Sequence, residues 1–272
     1  MTGEQSLFNK IVKDIKSVKI QGARNVARAS LRAYRLIPTE KSKEILLASR
    51  PTEPMMHRVL EIVSSGYISY NDILNHFDFA QNKINKIIYG LVKNNSVVFT
   101  HCHSTNVSNA LIYAHRKGKH FEVYNTETRP LYQGRTTAKE LRSSGIKVTM
   151  FVDSALGIAL GKEQGAKKVS MVLIGADALL KEGIINKVGS GLVSRIAKEE
   201  KIPVYIVADS WKFTKEKIKI EQRSLNEVWD NAPKKIKIKN PAFEFVHKKY
   251  ISGIITELGL MKYGEFLKKI KG

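Results

Sequence analysis

Short apolar runs alternate with helical segments throughout the chain after Ser96. The runs are SVVFT, FEVYN, KVTMFV, VSMVLIG and PVYIVAD, and the stretches between them include SNALIYAHRKG, TAKELRSSG and LVSRIAKEEK. Strand-like runs that alternate with helices are typical of βαβ units. Consecutive βαβ units build a parallel sheet whose two faces are covered by helices. The pattern therefore predicts a doubly wound, Rossmann-like α/β domain over residues 95–272.

The residues before this point have helical periodicity instead. Apolar residues recur at helical spacing in LFNKIVKDIKSVKI and NVARASLRAYRLI, and SKEILLASRPTEPMMHRVLEIVSSGY breaks at Arg50-Pro51 and resumes after Pro54. Helices tend to end before a proline and can begin with one in their first turn. A further helix is expected in NDILNHFDFAQNKINKIIYGLVKNN, with its first Asn as the cap. The sequence thus predicts an N-terminal helical domain over residues 1–94.

The composition indicates which binding partners and which cellular compartment to expect. The chain has 46 Lys and Arg against 25 Asp and Glu, a formal net charge of +21, which favours anionic partners such as nucleic acid or phosphorylated metabolites. Its single cysteine cannot form an internal disulfide, and its first residues lack the apolar core of a signal peptide. No apolar run approaches the roughly 18 residues of a membrane span. We therefore expect a cytoplasmic protein with no membrane segment.

Polar and reactive side chains follow five consecutive predicted strands. They are His101-Cys102-His103-Ser104, Asn125 to Pro130, Asp153-Ser154, Gly175-Ala176-Asp177 and Asp209 to Lys212. Doubly wound sheets bind ligands at the carboxyl ends of their strands, where the strand order reverses, so these segments predict the site. Ser104 and Asp153 also suit the capping of the helices that follow. Cys102, Asp177 and Lys212 do not suit that role.

Cys102 stands between two histidines in THCHS. A lone cysteine is commonly a small buried hydrophobic residue. At a strand end that faces the next helix, however, the helix dipole and a neighbouring imidazolium would favour the thiolate. Consecutive His-Cys-His lacks the spacing of zinc motifs, so we expect no metal here. The chemical interpretation of Cys102 is a base or nucleophile.

Asp177 opens the glycine-containing segment GADALLKEGIINKVGSGL. Its glycines flank Asn186-Lys187 just before a predicted helix, and backbone amides, a helix N-terminus and a lysine together suit a phosphate group. The segment contains neither the Walker pattern GxxxxGK[ST] nor the dinucleotide pattern GxGxxG. These features favour a phosphosugar over ATP or NAD.

At these motifs the chain resembles the superfamily that joins archaeal ribose 1,5-bisphosphate isomerase, methylthioribose 1-phosphate isomerase and the alpha, beta and delta subunits of translation initiation factor 2B. The matching stretches are KIQGARNVARA, ASRPTEP, THCHS, NTETRPLYQGRTTAKEL, VTMFVDSA, VLIGADALLKEGIINKVGSGL, VADSWKF and NPAFEFV. The catalytic branches resemble one another in keeping a Cys in THC and an Asp in GAD, here Cys102 and Asp177. THCHS, TETRP and NPAFE most resemble the bisphosphate isomerase branch.

The resemblance implies conversion of α-D-ribose 1,5-bisphosphate to ribulose 1,5-bisphosphate, without a cofactor, in a route that salvages the ribose of nucleoside monophosphates such as AMP. Asp177, with a raised pKa, would be the general acid on the ring oxygen. Cys102 would be the thiolate base that takes the C2 proton and passes a proton to C1. The implied binding residues are Gln21, Gly22, Ala23, Arg24, Arg50, His103, Ser104, Thr105, Gln133, Asn186, Lys187 and Lys212. The site would lie between the two domains, and closure would expel water.

One departure from the family pattern concerns the substrate. Gln21 stands where the isomerases usually carry Arg, and an amide cannot replace a bidentate guanidinium on phosphate without loss. Arg24, in the same turn, either compensates for this loss or is a solvated helix residue.

Two other functions fit the sequence. A noncatalytic relative of the initiation-factor subunits, binding initiation factor 2, RNA or a nucleotide, is favoured by the net charge and by the basic segment 234–239. An isomerase of methylthioribose 1-phosphate would need an apolar lining for the thioether in place of Arg50 and Lys212. The resemblance further implies a homo-oligomer, either a dimer or a hexamer of dimers, and the segment YISGIITELGLM suits a dimer contact or a last strand and helix.

Overall fold

Five helices form the N-terminal part of the protein in the computed structural model, which describes residues 3–218, 220 and 222–270. They are α1 (Gly3–Lys16), α2 (Ala23–Leu36), α3 (Glu40–Ser49), α4 (Pro54–Ser65) and α5 (Tyr70–Leu91). Their apolar faces close two cores, one around Phe8, Ile15 and Leu60 and one around Leu31 and Phe77. Pro54 lies in the first turn of α4, as predicted. No helix of the described residues is long and apolar enough to cross a membrane.

Helix α5 begins two residues earlier than the sequence suggested. Its N-cap is Ser69, whose hydroxyl accepts a hydrogen bond from the Asp72 backbone N–H at 3.2 Å. The predicted Asn71 cap is therefore wrong, because a serine two residues earlier already satisfies the free N–H groups of the first turn.

The rest of the described chain is an α/β arrangement. Its strands are β1 (Val97–Thr100), β2 (Glu122–Thr126), β3 (Lys147–Phe151), β4 (Val169–Ile174), β5 (Ala178–Leu180), β6 (Gly183–Lys187), β7 (Val204–Val207), β8 (Phe243–His247), β9 (Gly253–Thr256) and β10 (Gly259–Met261). Its helices are α6 (Thr105–Arg116), α7 (Gln133–Ser143), α8 (Leu156–Gly161), α9 (Ser190–Glu199) and α10 (Tyr263–Lys269). All five strands predicted from the apolar runs are present.

Seven of these strands form the main sheet in the order β10-β9-β7-β4-β1-β2-β3. Every neighbouring pair is parallel except β9 and β10. The core on one face packs α5, α6 and α7 against the sheet, and the core on the other face packs α8, α9 and α10 against it. The predicted doubly wound α/β fold is confirmed.

The strand order reverses between β1 and β4. From β1 the chain continues outward through β2 and β3, whereas β4 lies on the opposite side of β1 and leads toward β7 and β9. A crevice opens at the carboxyl ends of two such strands. Cys102 follows β1 and Asp177 follows β4, so the topology places both residues at this crevice.

A second, three-stranded antiparallel sheet was not predicted. Its order is β5-β6-β8, and the Asp177 backbone N–H extends its ladder by donating to the Ile185 carbonyl at 2.9 Å. At Gly183 the backbones approach so closely that a Cβ atom would lie 2.0 Å from the Val246 carbonyl oxygen. This glycine is therefore required by the close packing of β6 against β8 and not by a ligand.

Candidate active site

A pocket lies where the helical part meets the carboxyl ends of β1 and β4. Every site residue predicted from the sequence lines it: Gln21, Gly22, Ala23, Arg24, Arg50, Cys102, His103, Ser104, Thr105, Gln133, Asp177, Asn186, Lys187 and Lys212. These residues come from seven different segments of the chain, so only the tertiary fold brings them together. The pocket combines a thiol, a carboxyl group and several cations.

Cys102 occupies a tight turn between β1 and α6. Its φ is 65°, an unusual backbone conformation for a residue with a Cβ. The Cys102 N–H donates to the Thr128 hydroxyl oxygen at 3.0 Å, and the Cys102 carbonyl accepts from the Thr137 hydroxyl at 2.9 Å. Both backbone groups of the strained residue are thus held by buried threonines. The turn is fixed before any ligand binds.

Asp153, which follows β3, supports this turn. Its carboxylate accepts hydrogen bonds from the backbone N–H groups of Thr128 at 2.8 Å and Arg129 at 2.6 Å. It makes no capping bond to the short 3-10 turn in which it lies. The capping interpretation of Asp153 is therefore wrong, because its side chain holds the TETRP loop that in turn binds Cys102.

Burial favours the protonated form of the Cys102 thiol. Burial raises its pKa from 9.0 to about 11, while Lys187 and the His103 backbone N–H act in the opposite direction. The raised pKa contradicts the expectation that the helix and the histidines favour the thiolate. Desolvation of a buried charge outweighs their effect.

The two histidines beside Cys102 differ in their surroundings. His101 is buried and donates through Nε2 to the Val188 carbonyl at 2.8 Å, so its Nδ1 accepts from the Thr126 hydroxyl at 2.6 Å. Burial lowers the pKa of His101, which favours the neutral ring. His103 lines the pocket, with Nδ1 3.0 Å from the Thr137 hydroxyl. His101 is therefore a structural residue that supplies no imidazolium to the thiol.

Asp177 is buried among cations. Burial raises its pKa above the usual 3.8, and Lys212, Lys187 and Arg50 oppose that shift in this order. The predicted direction of the Asp177 pKa shift is confirmed. A buried carboxyl group that keeps its proton at higher pH can act as a general acid.

Two buried lysines stand beside this carboxyl group. Lys212 Nζ donates to the Ala176 carbonyl at 2.5 Å, directly next to Asp177 in the chain. Lys187 Nζ lies 4.8 Å from the ring centroid of Phe243. Both lysines are less than 10% exposed. Because lysine is rarely buried this far without compensating charge, they point to an anionic ligand.

The helix that follows Lys187 does not offer its N-terminus to a phosphate. The Glu244 carboxylate accepts hydrogen bonds from the backbone N–H groups of Gly189 at 2.6 Å and Gly191 at 2.9 Å. Neither glycine lines the pocket. The predicted phosphate cradle at the start of α9 is therefore wrong, since a carboxylate of the protein itself already occupies it.

A family model for the initiation factor 2 subunit family matches residues 38–263. The chain belongs to this family. Ribose 1,5-bisphosphate isomerase of Methanocaldococcus jannaschii is 33% identical over 95% of the chain and 92% of the relative. Methylthioribose-1-phosphate isomerase of Acetivibrio thermocellus is 30% identical over 98% of the chain and 90% of the relative. The crystal structure of translation initiation factor eIF-2B from Pyrococcus horikoshii OT3 superposes with a TM-score of 0.81 at 25% identity, covering 94% of the chain and 96% of that protein.

On the helical side of this family member's pocket, position 21 is Gln and Arg24 is a neighbouring arginine of the lining. Arg24 donates to the Asp78 carboxylate at 2.5 Å, and its side chain is 17% exposed. Its Nε atom is buried and has no hydrogen-bond partner among the described residues. The interpretation of Arg24 as a solvated helix residue is wrong, because the buried Nε–H stands at a pocket where an anion would satisfy it.

Two further groups shape the sugar-sized space. Ser104 makes no capping hydrogen bond, and a Cβ atom at position 175 would lie 2.7 Å from the Ser104 hydroxyl oxygen. The glycine of the GAD motif therefore leaves room for this hydroxyl. The side-chain amide oxygen Oε1 of Gln133 is buried without a hydrogen-bond partner among the described residues. It can accept a hydrogen bond from a ligand hydroxyl.

Sequence reasoning missed several pocket residues. They are Val18, Asn25, Glu53, Asn106, Leu131, Arg223, Ala242 and Phe243. The motifs SRPTEP and NPAFEFV contain Glu53, Ala242 and Phe243 and could have indicated them. Arg223 has no such local signal, because its segment carries neither a periodic apolar pattern nor one of the family motifs.

One cluster of metal-ligating side chains occurs among residues 3–218, 220 and 222–270, away from the pocket lining. His76, Asp209 and Glu257 bring their ligand atoms within 4.8 Å of one another. Their hydrogen bonds explain the cluster without an ion: Asp209 accepts from His76 Nε2 at 3.1 Å, and Glu257 accepts from the Ser210 N–H at 3.1 Å. The cluster joins α5 to the 3-10 turn Ser210–Lys212 that carries a pocket lysine.

Proposed function

We propose that this protein is an isomerase that converts α-D-ribose 1,5-bisphosphate to ribulose 1,5-bisphosphate. The observation that carries the proposal is the position of Cys102 and Asp177 at the ends of neighbouring strands, in one pocket that also holds Arg50, Lys187 and Lys212. A thiol and an acid suit proton transfer, and three cations suit phosphate. The similarity over most of the chain to an archaeal ribose 1,5-bisphosphate isomerase supports the same substrate.

The reaction moves one hydrogen from C2 to C1 and opens the ring. Asp177 donates its proton to the ring oxygen while the Cys102 thiolate removes the C2 proton, which breaks the bond between C1 and the ring oxygen and leaves an enol. Cys102 then returns its proton to C1. The O2 hydroxyl proton goes back to Asp177 as the C2 ketone forms. All protons balance, and both side chains return to their starting states.

The protonation states of the two residues are coupled. Each arrangement, thiol with carboxylate or thiolate with carboxylic acid, holds one proton between the two groups. The Asp177 charge raises the pKa of Cys102, and Lys187 lowers it. Protonation of Asp177 therefore removes a negative charge near the thiol and favours the thiolate. The reactive pair is the Cys102 thiolate beside the protonated Asp177.

The test is turnover of α-D-ribose 1,5-bisphosphate by the purified protein, detected as ribulose 1,5-bisphosphate through coupling to Rubisco. We expect turnover in the wild type and its loss, by at least about a hundredfold, in both Cys102→Ser and Asp177→Asn. Glu182→Gln is the matched control, because it removes a carboxylate that pairs with Lys248 at the surface. A folded wild type without turnover, with or without AMP, overturns the proposal.

A noncatalytic role is the alternative that a specific observation favours. The basic segment 234–239 is largely exposed, and Trp229 nearby is 49% exposed. Lysines beside an exposed aromatic ring suit an RNA strand or an acidic protein surface. If turnover is absent, a pull-down with initiation factor 2 and an RNA-binding titration test this role. The predicted homo-oligomer is checked separately by light scattering.

Methylthioribose 1-phosphate is the competing substrate for the same chemistry. The pocket does contain apolar side chains, among them Val18, Leu131 and Phe243. The buried cations Lys187 and Lys212 line the same pocket, however, and an uncharged thioether makes no charged contact with them. Assaying both substrates side by side decides between them, and we expect the higher kcat/KM with the bisphosphate.

A further inference from the structure

Arg223 reaches the pocket from the segment between Thr214 and Pro241, outside every motif described above. It lines the pocket together with Ala242 and Phe243. Its side chain is only 16% exposed. An arginine in this position is a candidate ligand for a phosphate, because a guanidinium presents several N–H donors in one plane.

The orientation of Arg223 is fixed by its neighbours. Its Nε donates to the two carboxylate oxygens of Glu227 at 3.1 and 2.9 Å, and its Nη2 also bonds to this carboxylate. The Arg223 backbone N–H donates to the carbonyl of buried Asn240 at 3.0 Å, and Asn240 Nδ2 donates to Glu227 at 3.2 Å. The guanidinium therefore has one preferred direction before a ligand arrives, which reduces the entropic cost of binding.

The positive charges of the pocket fall into two regions. Arg50, Lys187 and Lys212 all lower the pKa of Asp177, so they surround the reacting carboxyl group. Lys212 bonds to the Ala176 carbonyl next to Asp177, whereas Arg223 is held by Asn240 and Glu227 on the segment that leads into β8, so the two cations reach the pocket from different elements. Lys187 also lowers the pKa of Glu227, the partner of Arg223, which places Lys187 between the two regions.

Two separated cationic regions match a sugar with a phosphate at each end. Each phosphate monoester carries about −1.5 to −2 charges at neutral pH, and one cationic cluster cannot contact both ends of an extended ligand. Resting on the proposed function, we infer that Arg223 binds the phosphate farther from Asp177 and that Glu227 and Asn240 orient it. Arg223 is thus a specificity residue for bisphosphates, and Glu227 is a positioning residue.

The test is calorimetric binding in the Cys102→Ser background, in which bound sugar is not consumed. The probes are α-D-ribose 1,5-bisphosphate, α-D-ribose 1-phosphate and ribose 5-phosphate. We expect Arg223→Met to weaken bisphosphate binding by roughly 10- to 100-fold, to weaken one of the two monophosphates similarly, and to leave the other within about threefold. Arg116→Met is the matched control, because Arg116 is an exposed arginine of α6 outside the pocket.

Two further variants distinguish a loss of phosphate binding from a loss of folding. Arg223→Lys keeps the charge without the planar fork, and we expect an intermediate loss of bisphosphate affinity. Glu227→Gln removes the orienting charge, and we expect a raised KM for the bisphosphate with a nearly unchanged kcat. A purely structural role would instead lower kcat and thermal stability together, whichever sugar is bound.

The outcomes separate this inference from the proposed function. Unchanged bisphosphate affinity in Arg223→Met, or equal losses for all three sugars, overturns the inference, as does a wild-type pocket that binds the bisphosphate no tighter than the monophosphates. Selective loss of bisphosphate binding together with a wild type that shows no turnover would sustain the role of Arg223 and overturn the isomerase.

Discussion

The Thr128 hydroxyl accepts the backbone N–H of Cys102 across 3.0 Å, and both residues have left-handed backbone, with φ of 62° and 65°. Two consecutive motifs, THCHS and TETRP, are thus joined at their most strained positions. This contact holds the proposed base at the strand end, and Asp153 holds Thr128 in turn.

Replacing Thr128 by valine removes this acceptor while keeping the shape of the side chain. The buried Cys102 N–H then lacks a partner, and we expect the free energy of unfolding to fall by about 1–3 kcal/mol. We also expect kcat to fall by roughly tenfold or more, because the thiol is no longer held in place. Urea unfolding and the coupled assay measure the two effects. Thr128→Ser keeps the hydroxyl and is the control, and equal behaviour of the two variants would contradict the role of this bond.

The raised pKa of Cys102 predicts how stability depends on pH. Below pH 9 the thiol is protonated in both the folded and the unfolded chain. Between pH 9 and about 11 the unfolded chain loses its proton first, so the stability contributed by the thiol is lost as pH rises. Relative to Cys102→Ser, the wild type should lose up to about 3 kcal/mol over this range. Urea unfolding of both proteins at pH 8, 9 and 10 measures the difference, and a constant difference would show that the thiol is not desolvated.

Glu244→Gln tests whether the N-terminus of α9 has a structural role and does not bind the substrate. The carboxylate accepts from Gly189 and Gly191 and lies outside the pocket lining. We expect a loss of about 1–2 kcal/mol of stability and a kcat/KM within about threefold of the wild type. Thermal unfolding and the coupled assay measure these, with Glu182→Gln as the surface control. A large rise in KM with intact stability would mean that this helix end does serve the substrate.

His76→Leu tests the link between α5 and the turn that carries Lys212. The His76 ring stacks on Trp211 at 3.6 Å with an interplanar angle of 3°, and its Nε2 lies 3.1 Å from Asp209. Loss of the ring should change the fluorescence of Trp211, and it should destabilise the protein by about 1–3 kcal/mol because the Asp209 carboxylate loses a partner. The measurement uses a Trp229→Phe background, so that Trp211 is the remaining tryptophan.

His76→Gln is the matched variant for this experiment. It keeps a side-chain donor for Asp209 but not the stacked ring. If both variants change the fluorescence equally and only the leucine variant loses stability, stacking and hydrogen bonding have separate effects. Unchanged emission in both variants would contradict the stacked arrangement.

The sequence predicted the central strands well because β1 and β2 are buried along their whole length and β4 nearly so. Such strands are continuous apolar runs, like VVFT in β1, and their identity does not depend on distant contacts. The short strands β5 and β8 were not predicted, since β5 has only three residues and β8 is only partly buried. Their pairing with β6 is a tertiary interaction that leaves little periodicity.

At the site, the prediction of which residues line the pocket depends on the order of elements along the chain, and the predictions that were wrong depend on tertiary contacts. The strand-end rule indicated Cys102, Asp177 and Lys212 because it depends on the order of elements along the chain. It could not predict that Glu244, 53 residues after Gly191, would occupy the α9 N-terminus. Nor could it give the direction of the Cys102 pKa shift, which depends on how deeply the turn is buried. The division of the chain at residue 94 remains a prediction, as do the catalytic roles of the pair.

By itself, the sequence determined the alternation of strands and helices, the helical N-terminal part, and the residues of the family motifs. These features follow from local periodicity and from the order of side chains along the backbone. Only the tertiary structure decided that Arg223 joins the pocket, that the His101 ring bonds to Thr126 and Val188, and that burial raises the pKa of the Cys102 thiol. Those outcomes depend on desolvation and on contacts between distant segments, and both are set by packing in three dimensions.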